Sequence, residues 1–121
     1  MDTNALMMPV ELDIRVFDEL DRLFDSYELV VPEAVMAELR ELSQREGTAG
    51  TAASVGLDLA ERCRVVNHSS SYADDALVEL ADENVVDAVL TNDTPLKNRL
   101  LEQRIPVIHL RGQNQLQYTQ P

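Results

Sequence analysis

Apolar and polar positions alternate between two periods along this chain, and the switches mark out its elements. Residues 13–25 place Ile14, Phe17, Leu20 and Phe24 at helical spacing, with Asp18, Glu19, Asp21 and Arg22 on the other face. The run Tyr27-Glu28-Leu29-Val30-Val31 reads as a short strand ended by Pro32. Pro32 opens a helix to about Arg45 with Val35, Leu39 and Leu42 on one face, and Gly47 closes it. Residues 47–56 are small and lack the Gly-Lys-Ser/Thr ending of a P-loop, so they read as a loop running into a closely packed helix that ends near Arg62.

Arg64-Val65-Val66 reads as a second strand, Ser69 to Ser71 as a loop, and Asp74 to Glu83 as a helix. Residues 85–90 are mostly apolar, as a parallel strand buried on both faces requires. A helix from about Thr94 to Arg104 follows, then a last strand over 105–110 that lies at an edge or begins after Pro106. The Gln-rich residues 112–121 read as a flexible tail after a single domain over 1–111. Strands alternating with helices predict a three-layer α/β/α fold with a central parallel sheet. Its ligands belong beyond the carboxyl ends of the strands.

Composition narrows the class. The chain has 121 residues, 45% of them hydrophobic, which suits one packed domain. No apolar run approaches the roughly 18 residues of a membrane span, and no signal peptide precedes the first charge. The lone Cys63 has no disulfide partner, reads as a small buried apolar residue and fits a reducing cytoplasm. His68 and His109 lie far apart and have no cysteine set, which argues against a zinc site.

The net charge of -12 is extreme and reads as adaptation to a salty, halophilic cytoplasm. It opposes RNA binding, which draws its affinity from neutralised phosphates. The distribution softens that objection. Residues 1–93 carry -15, whereas 94–121 carry +3 through Lys97, Arg99, Arg104 and Arg111 against Glu102. Those four cations are the candidate phosphate contacts.

Acids recur where strands end. Asp93 follows Leu90-Thr91-Asn92, Asp74 and Asp75 open a helix, and Glu38 borders the Val35/Leu39 stripe. Asp2-Thr3-Asn4-Ala5-Leu6 reads as the exit of a strand whose body is missing. Each has a plainer reading: Asp74 and Asp93 as helix caps, Asp75 as a dipole partner, Glu38 as a solvated glutamate, Asn4 and Asn92 as turn residues. Carboxylates held close together repel unless cations lie between them, and carboxylate-only sites suit Mg²⁺ or Mn²⁺.

Their order carries more weight. Asp2-Thr3-Asn4-Ala5-Leu6, Pro32-Glu33-Ala34-Val35-Met36-Ala37-Glu38-Leu39, Ala73-Asp74-Asp75-Ala76-Leu77-Val78 and Leu90-Thr91-Asn92-Asp93 together resemble the PIN domain family over nearly the whole chain. The Ala-Asp-Asp form and Leu96-Lys97-Asn98-Arg99-Leu100 look like the branch of small-subunit rRNA-processing nucleases, with the VapC toxin branch as near neighbour.

The resemblance implies a Mg²⁺- or Mn²⁺-dependent endoribonuclease acting on single-stranded RNA. Asp2, Glu38, Asp75 and Asp93 would be catalytic and metal-binding, and Asp74 a further metal contact or a cap. Asn4, Thr91 and Asn92 would orient the carboxylates or meet a phosphate oxygen. It implies as partners an RNA substrate, a second copy in a homodimer, and an antitoxin or a pre-ribosomal assembly, with no membrane.

The competing reading is a catalytically silent PIN-like scaffold for RNA or protein. A phospho-receiver domain has no place for Glu38. One departure stands out: the family enters its first Asp through a buried apolar strand, and here only Met1 precedes Asp2. A missing central strand leaves a gap of about 10 Å. The expectation is therefore a truncated N-terminal strand, with the true start upstream.

Overall fold

The computed structural model describes residues 1–11, 15–67 and 72–121, with Asn4 described by its backbone alone. The expected Ser69–Ser71 loop and His68 lie outside the described residues. Among the described residues, six helices and five strands follow in the order α1 Thr3–Glu11, α2 Val16–Leu23, β1 Val30–Pro32, α3 Glu33–Ser43, α4 Gly47–Ala60, β2 Arg64–Val66, α5 Ala73–Asp82, β3 Val89–Leu90, α6 Thr94–Glu102, β4 Val107–Arg111 and β5 Gln115–Thr119. The α/β alternation expected from the pattern is present.

Local chemistry accounts for most element starts. Pro32 holds φ -66 and ψ 147, the extended conformation that launches α3. Asp93 caps α6, its carboxylate accepting the Leu96 amide at 3.0 Å, and Pro95 stands in the first turn, where its missing N–H costs nothing. Asp2 does the same for α1, accepting the Ala5 amide at 2.8 Å.

Residues 47–56 are helical, not a loop. Gly47, at φ +82, begins α4 instead of closing α3, which already ends at Ser43. The small residues there serve close packing of α4 against α1 and α3. A methyl group on Gly56 would stand 3.0 Å from the Leu6 carbonyl oxygen and 3.3 Å from Leu39 Cδ2. Ala52, Ala53 and Ala60 on the same face are fully buried against this contact.

The strands form two sheets. β1 pairs parallel with β2. β3 pairs parallel with β4, and β4 pairs antiparallel with β5. The residues expected to form a loose tail are thus the outer strand of a hairpin: Leu116 is buried, its amide donates to Glu19 at 2.9 Å, and its carbonyl accepts from Arg22 at 2.7 Å. β4 begins after Pro106, one of the two expected outcomes, and lies inside its sheet with a neighbour on each side.

The strand expected over 85–90 is only Val89 and Leu90, and Val85 is 41% exposed. Pro106 ends the pairing on one side, since it can accept the Val89 amide but has no N–H to return. On the other side, among the described residues, only Met1 and Asp2 stand between β1 and β3. The Met1 ammonium donates to the Val30 carbonyl at 2.9 Å and the Asp2 amide to the Leu90 carbonyl at 3.1 Å. Met1 and Asp2 therefore bridge the two sheets, and Met1 borders a cavity of about 410 Å³ lined by Val30, Leu77, Leu80, Val86, Val89 and Ile108 among others.

The core runs through Leu6, Met8, Val31, Val35, Leu39, Val89, Leu96, Leu100, Val107 and Leu116. Cys63 is half-buried instead of fully enclosed, and burial pushes its thiol up. No helix among the described residues is long and apolar enough to cross a membrane.

Candidate functional site

β1 runs parallel to β2 and β3 parallel to β4. The starts of α1, α5 and α6 come together beyond the end of β3: the Asp2 amide donates to Leu90, Thr91 bonds both Asp2 and the Asp93 amide, and Asp74 feels the charges of Asp2 and Asp93. Partial positive charge from these termini collects at that end, where anions are favoured. Asp2, Asp74, Asp75 and Asp93 all occur in these helix starts.

Asp2 is the best-held of them. It is 4% exposed, with one carboxylate oxygen on the Ala5 amide and the other receiving the Thr91 hydroxyl in a short hydrogen bond. Thr91, fully buried, also accepts the Asp93 amide at 3.0 Å. One hydroxyl thus ties the N-terminal acid to the acid that follows β3, Thr91 itself lying 89 residues from Asp2 in sequence. Burial pushes the Asp2 carboxyl up to about 6; Thr91, the Ala5 amide and the Met1 ammonium pull it down, and Asp74 pushes it further up.

Asp74 and Asp75 part company. The Asp74 carboxyl is raised by desolvation and by Asp93, partly offset by Arg99. It therefore feels the charges of both Asp2 and Asp93, as a member of one acidic group. It is not a cap, since Tyr72 holds the N-cap position of α5. Asp75 instead meets Arg99 at 2.7 Å in a half-exposed ion pair. Glu38 is exposed in the second turn of α3, one turn on from the buried Val35 and next to the buried Leu39, so it borders that stripe. Asn92 is exposed beside Thr91, and the Asn4 side chain lies outside the described set.

The cations divide as well. Lys97 lies one helical turn after Asp93, and its amide donates to the Asp93 carbonyl. Arg99 is occupied with Asp75. Arg111 ends β4, three residues past Ile108, the partner of Leu90, and so stands at the acidic end. Arg104 follows the far end of α6 at φ +64, about 13 Å of helix away from Asp93, and does not join them.

The donor chemistry fits a hard divalent cation: carboxylate and hydroxyl oxygens, mutually repelling acids, and helix N-termini suited to a phosphate. Among the described residues no group of three His, Cys, Asp or Glu side chains comes close enough to hold a metal alone. Mg²⁺ does not need such a cage, since it commonly uses one or two carboxylates with waters and substrate phosphates.

Two features escaped sequence reasoning. The Arg99–Asp75 pair spans 24 residues and leaves no local signal. Thr3, next to Asp2, buries a hydroxyl with no hydrogen-bond partner among the described residues.

Comparison with known proteins identifies the family. The family described as PIN like domain matches residues 1–113. The chain is 31% identical over 114 residues to Ribonuclease VapC4 of Methanocaldococcus jannaschii, covering 91% of this chain and 87% of that protein. It superposes on the structure of the PIN domain endonuclease Utp24 with a TM-score of 0.80 and 25% identity, over 99% of this chain and 89% of that one. Both relatives are nucleases by name, one a ribonuclease and the other a PIN domain endonuclease. With its α/β fold and its acids gathered at the strand ends, this chain belongs to the PIN-like domain family.

Proposed function

We propose that the protein is a Mg²⁺- or Mn²⁺-dependent endoribonuclease that hydrolyses phosphodiester bonds in single-stranded RNA. The observation that carries this reading is the buried Asp2, anchored by Thr91 and the α1 amide beside Asp74 and Asp93. Kept ionised without a counter-charge, these carboxylates are costly, so the protein spends stability on a site that a cation relieves.

Asp2, Asp74 and Asp93 are the residues that would hold the metal, with Asp75 and Glu38 reaching it through water. When bound, the ion supplies an activated water and neutralises charge developing on the phosphate. Thr91 fixes Asp2 in one orientation and ties it to the Asp93 backbone. The N-termini of α1 and α6 and the Lys97 and Arg111 side chains attract the RNA phosphates. Attack by water on phosphorus leaves a 5′-phosphate and a 3′-hydroxyl. An antitoxin or a pre-ribosomal assembly is the partner class that accompanies this reading, with a homodimer as the oligomer, and the cytoplasm as the compartment.

Asp93→Asn tests the proposal. Asparagine caps helices as well as aspartate, so the fold is kept. Manganese-dependent cleavage of a single-stranded RNA should fall at least 100-fold. Undiminished cleavage in a well-folded variant would refute the assignment. A wild-type protein that neither cleaves nor gains thermal stability from millimolar Mn²⁺ would favour the silent scaffold instead.

A further inference from the structure

The chain holds two phenylalanines and three tyrosines. Phe24 packs edge to face on Tyr27 and Tyr118, with ring centroids 6.5 and 5.6 Å away, and Phe17 lies under the Arg62 guanidinium at 3.8 Å. Tyr72 differs from these four. It is 73% exposed, against 43% for the next large apolar residue among those described. One exposed apolar side chain is ordinary by itself. Its position is not.

Tyr72 is the N-cap of α5, extended at φ -98 and ψ 129, and its carbonyl accepts the Ala76 amide at 2.9 Å. The backbone that carries the ring is thus anchored to the helix. Two residues on, Asp74 stands close enough to Asp2 and Asp93 to feel their charges. Three residues on, at a spacing that brings side chains together, Asp75 holds Arg99 at 2.7 Å. A guanidinium carries five N–H donors, so this bond leaves Arg99 able to meet a phosphate as well. Residues 72–75 therefore set an exposed aromatic ring, a carboxylate of the acidic group and the anchor of a cation side by side.

We propose that Tyr72 is the base-stacking platform of the RNA site. Resting on the nuclease reading above, it takes the base of a nucleotide next to the bond that is cut, while Arg99, held by Asp75, meets the adjoining phosphate. The charge of the chain favours a contact of this kind. At a net charge of -12 the protein gains little from neutralising phosphates, whereas stacking does not depend on charge. Stacking on an aromatic side chain is worth about 5- to 150-fold in affinity per base and accepts any base. It also selects single strands, whose bases are free to leave their own stack.

The test uses the intact protein and a ten-residue oligoadenylate in EDTA, at 0.1 and 2 M KCl. Binding without metal is read apart from cleavage: RNA bound through Tyr72 but never cut would refute the nuclease reading alone. The chain has no tryptophan, so Tyr72→Trp introduces a single reporter that keeps an aromatic face. Its emission should be quenched saturably by the RNA. Tyr72→Ala should bind about 5- to 150-fold more weakly than wild type, and Tyr72→Phe within about twofold of it. The Tyr72→Ala loss should be the same factor at both salt concentrations, whereas an Arg99→Gln loss should shrink at 2 M KCl.

Thermal melting should leave Tyr72→Ala close to wild type. If that variant fails to fold, the Tyr72→Trp titration decides. Emission that saturating RNA leaves unchanged overturns the proposal. So does wild-type affinity in a folded Tyr72→Ala, or a Tyr72→Ala loss that vanishes at 2 M KCl. A wild-type protein that cuts RNA with manganese yet binds no oligoadenylate at millimolar concentration also overturns it, and leaves the nuclease reading standing.

Discussion

Replacing Asp2 with asparagine should make the metal-free protein more stable at neutral pH while removing its metal response. The exchange is close to isosteric: Oδ1 still accepts the Ala5 amide, and the new amide nitrogen can donate to Thr91, whose hydroxyl accepts two bonds. What disappears is a buried charge. Asp2 titrates at about 6 in the fold against an ordinary 3.8. Below 3.8 the carboxyl is protonated whether the chain is folded or not, and it costs nothing. As pH rises through 3.8 the unfolded chain ionises first, so stability drains away until the folded carboxyl ionises near 6.

That difference is worth about 3 kcal/mol at pH 7. Thr91 loses its acceptor, which takes back about 1 kcal/mol. The net gain of about 2 kcal/mol corresponds to roughly 5–10 °C in melting temperature for a domain of this size. Melting curves in EDTA at pH 7 and pH 4 measure it as a difference between variant and wild type. The variant should lead at pH 7 and lose that lead at pH 4. Millimolar Mn²⁺ should lift only the wild type. A variant that melts at or below wild type at pH 7 without metal would show that the charge on Asp2 is not a burden, and would refute the reasoning.

Four further outcomes follow from the packing and the charges. Thr91→Val takes the hydroxyl from Asp2 Oδ2 and from the Asp93 amide and should cost about 1–3 kcal/mol in denaturant melts, with a larger fractional loss of cleavage than of stability. Gly50→Ala should destabilise by at least about 1–3 kcal/mol, since the added carbon would stand 1.8 Å from the Arg45 carbonyl oxygen; an unchanged midpoint would contradict the α4 packing. Deleting residues 112–121 should lower stability sharply, because it strips β5 and exposes the face that Leu116 covers; a truncated protein that melts like wild type would restore the loose-tail reading. Raising KCl from 0.1 to 2 M should raise the melting temperature as the charge of -12 is screened, and a flat response would argue against the halophilic reading.

Much of the architecture is legible where one residue decides a local conformation. Pro32 and Asp93 mark helix starts by φ and by capping, and β2 follows from Val65 and Val66 between polar neighbours. The misreadings share a cause: tertiary contacts outweighed local preference. Residues 47–56 look like a loop because glycine and alanine are poor indicators of regular structure, yet α1 and α3 approach so closely that only such residues fit. The 85–90 run has strand composition but lacks neighbours for its first half. The tail looks loose because Gln115, Gln117 and Gln120 are polar, while its alternation with Leu116 and Tyr118 carries the strand. At the site, sequence places the acids in one region but cannot separate Asp74 from Asp75. Arg99 separates them, and it is brought there by the packing of α5 and α6.

The seam made by Met1 and Asp2 gives the domain an uneven resistance to opening. Among the described residues, Met1 and Asp2 link β1 and β3 through main-chain bonds to Val30 and Leu90, and the second bond belongs to a residue of the acidic site. The two halves should therefore exchange their amide protons as separate cooperative units, with the Asp2 amide among the first to lose protection. Fluctuations that part the halves displace Asp2 from Thr91 long before the core around Leu39 and Leu100 melts. Heat or mild denaturant should then disturb the acidic site below the unfolding transition.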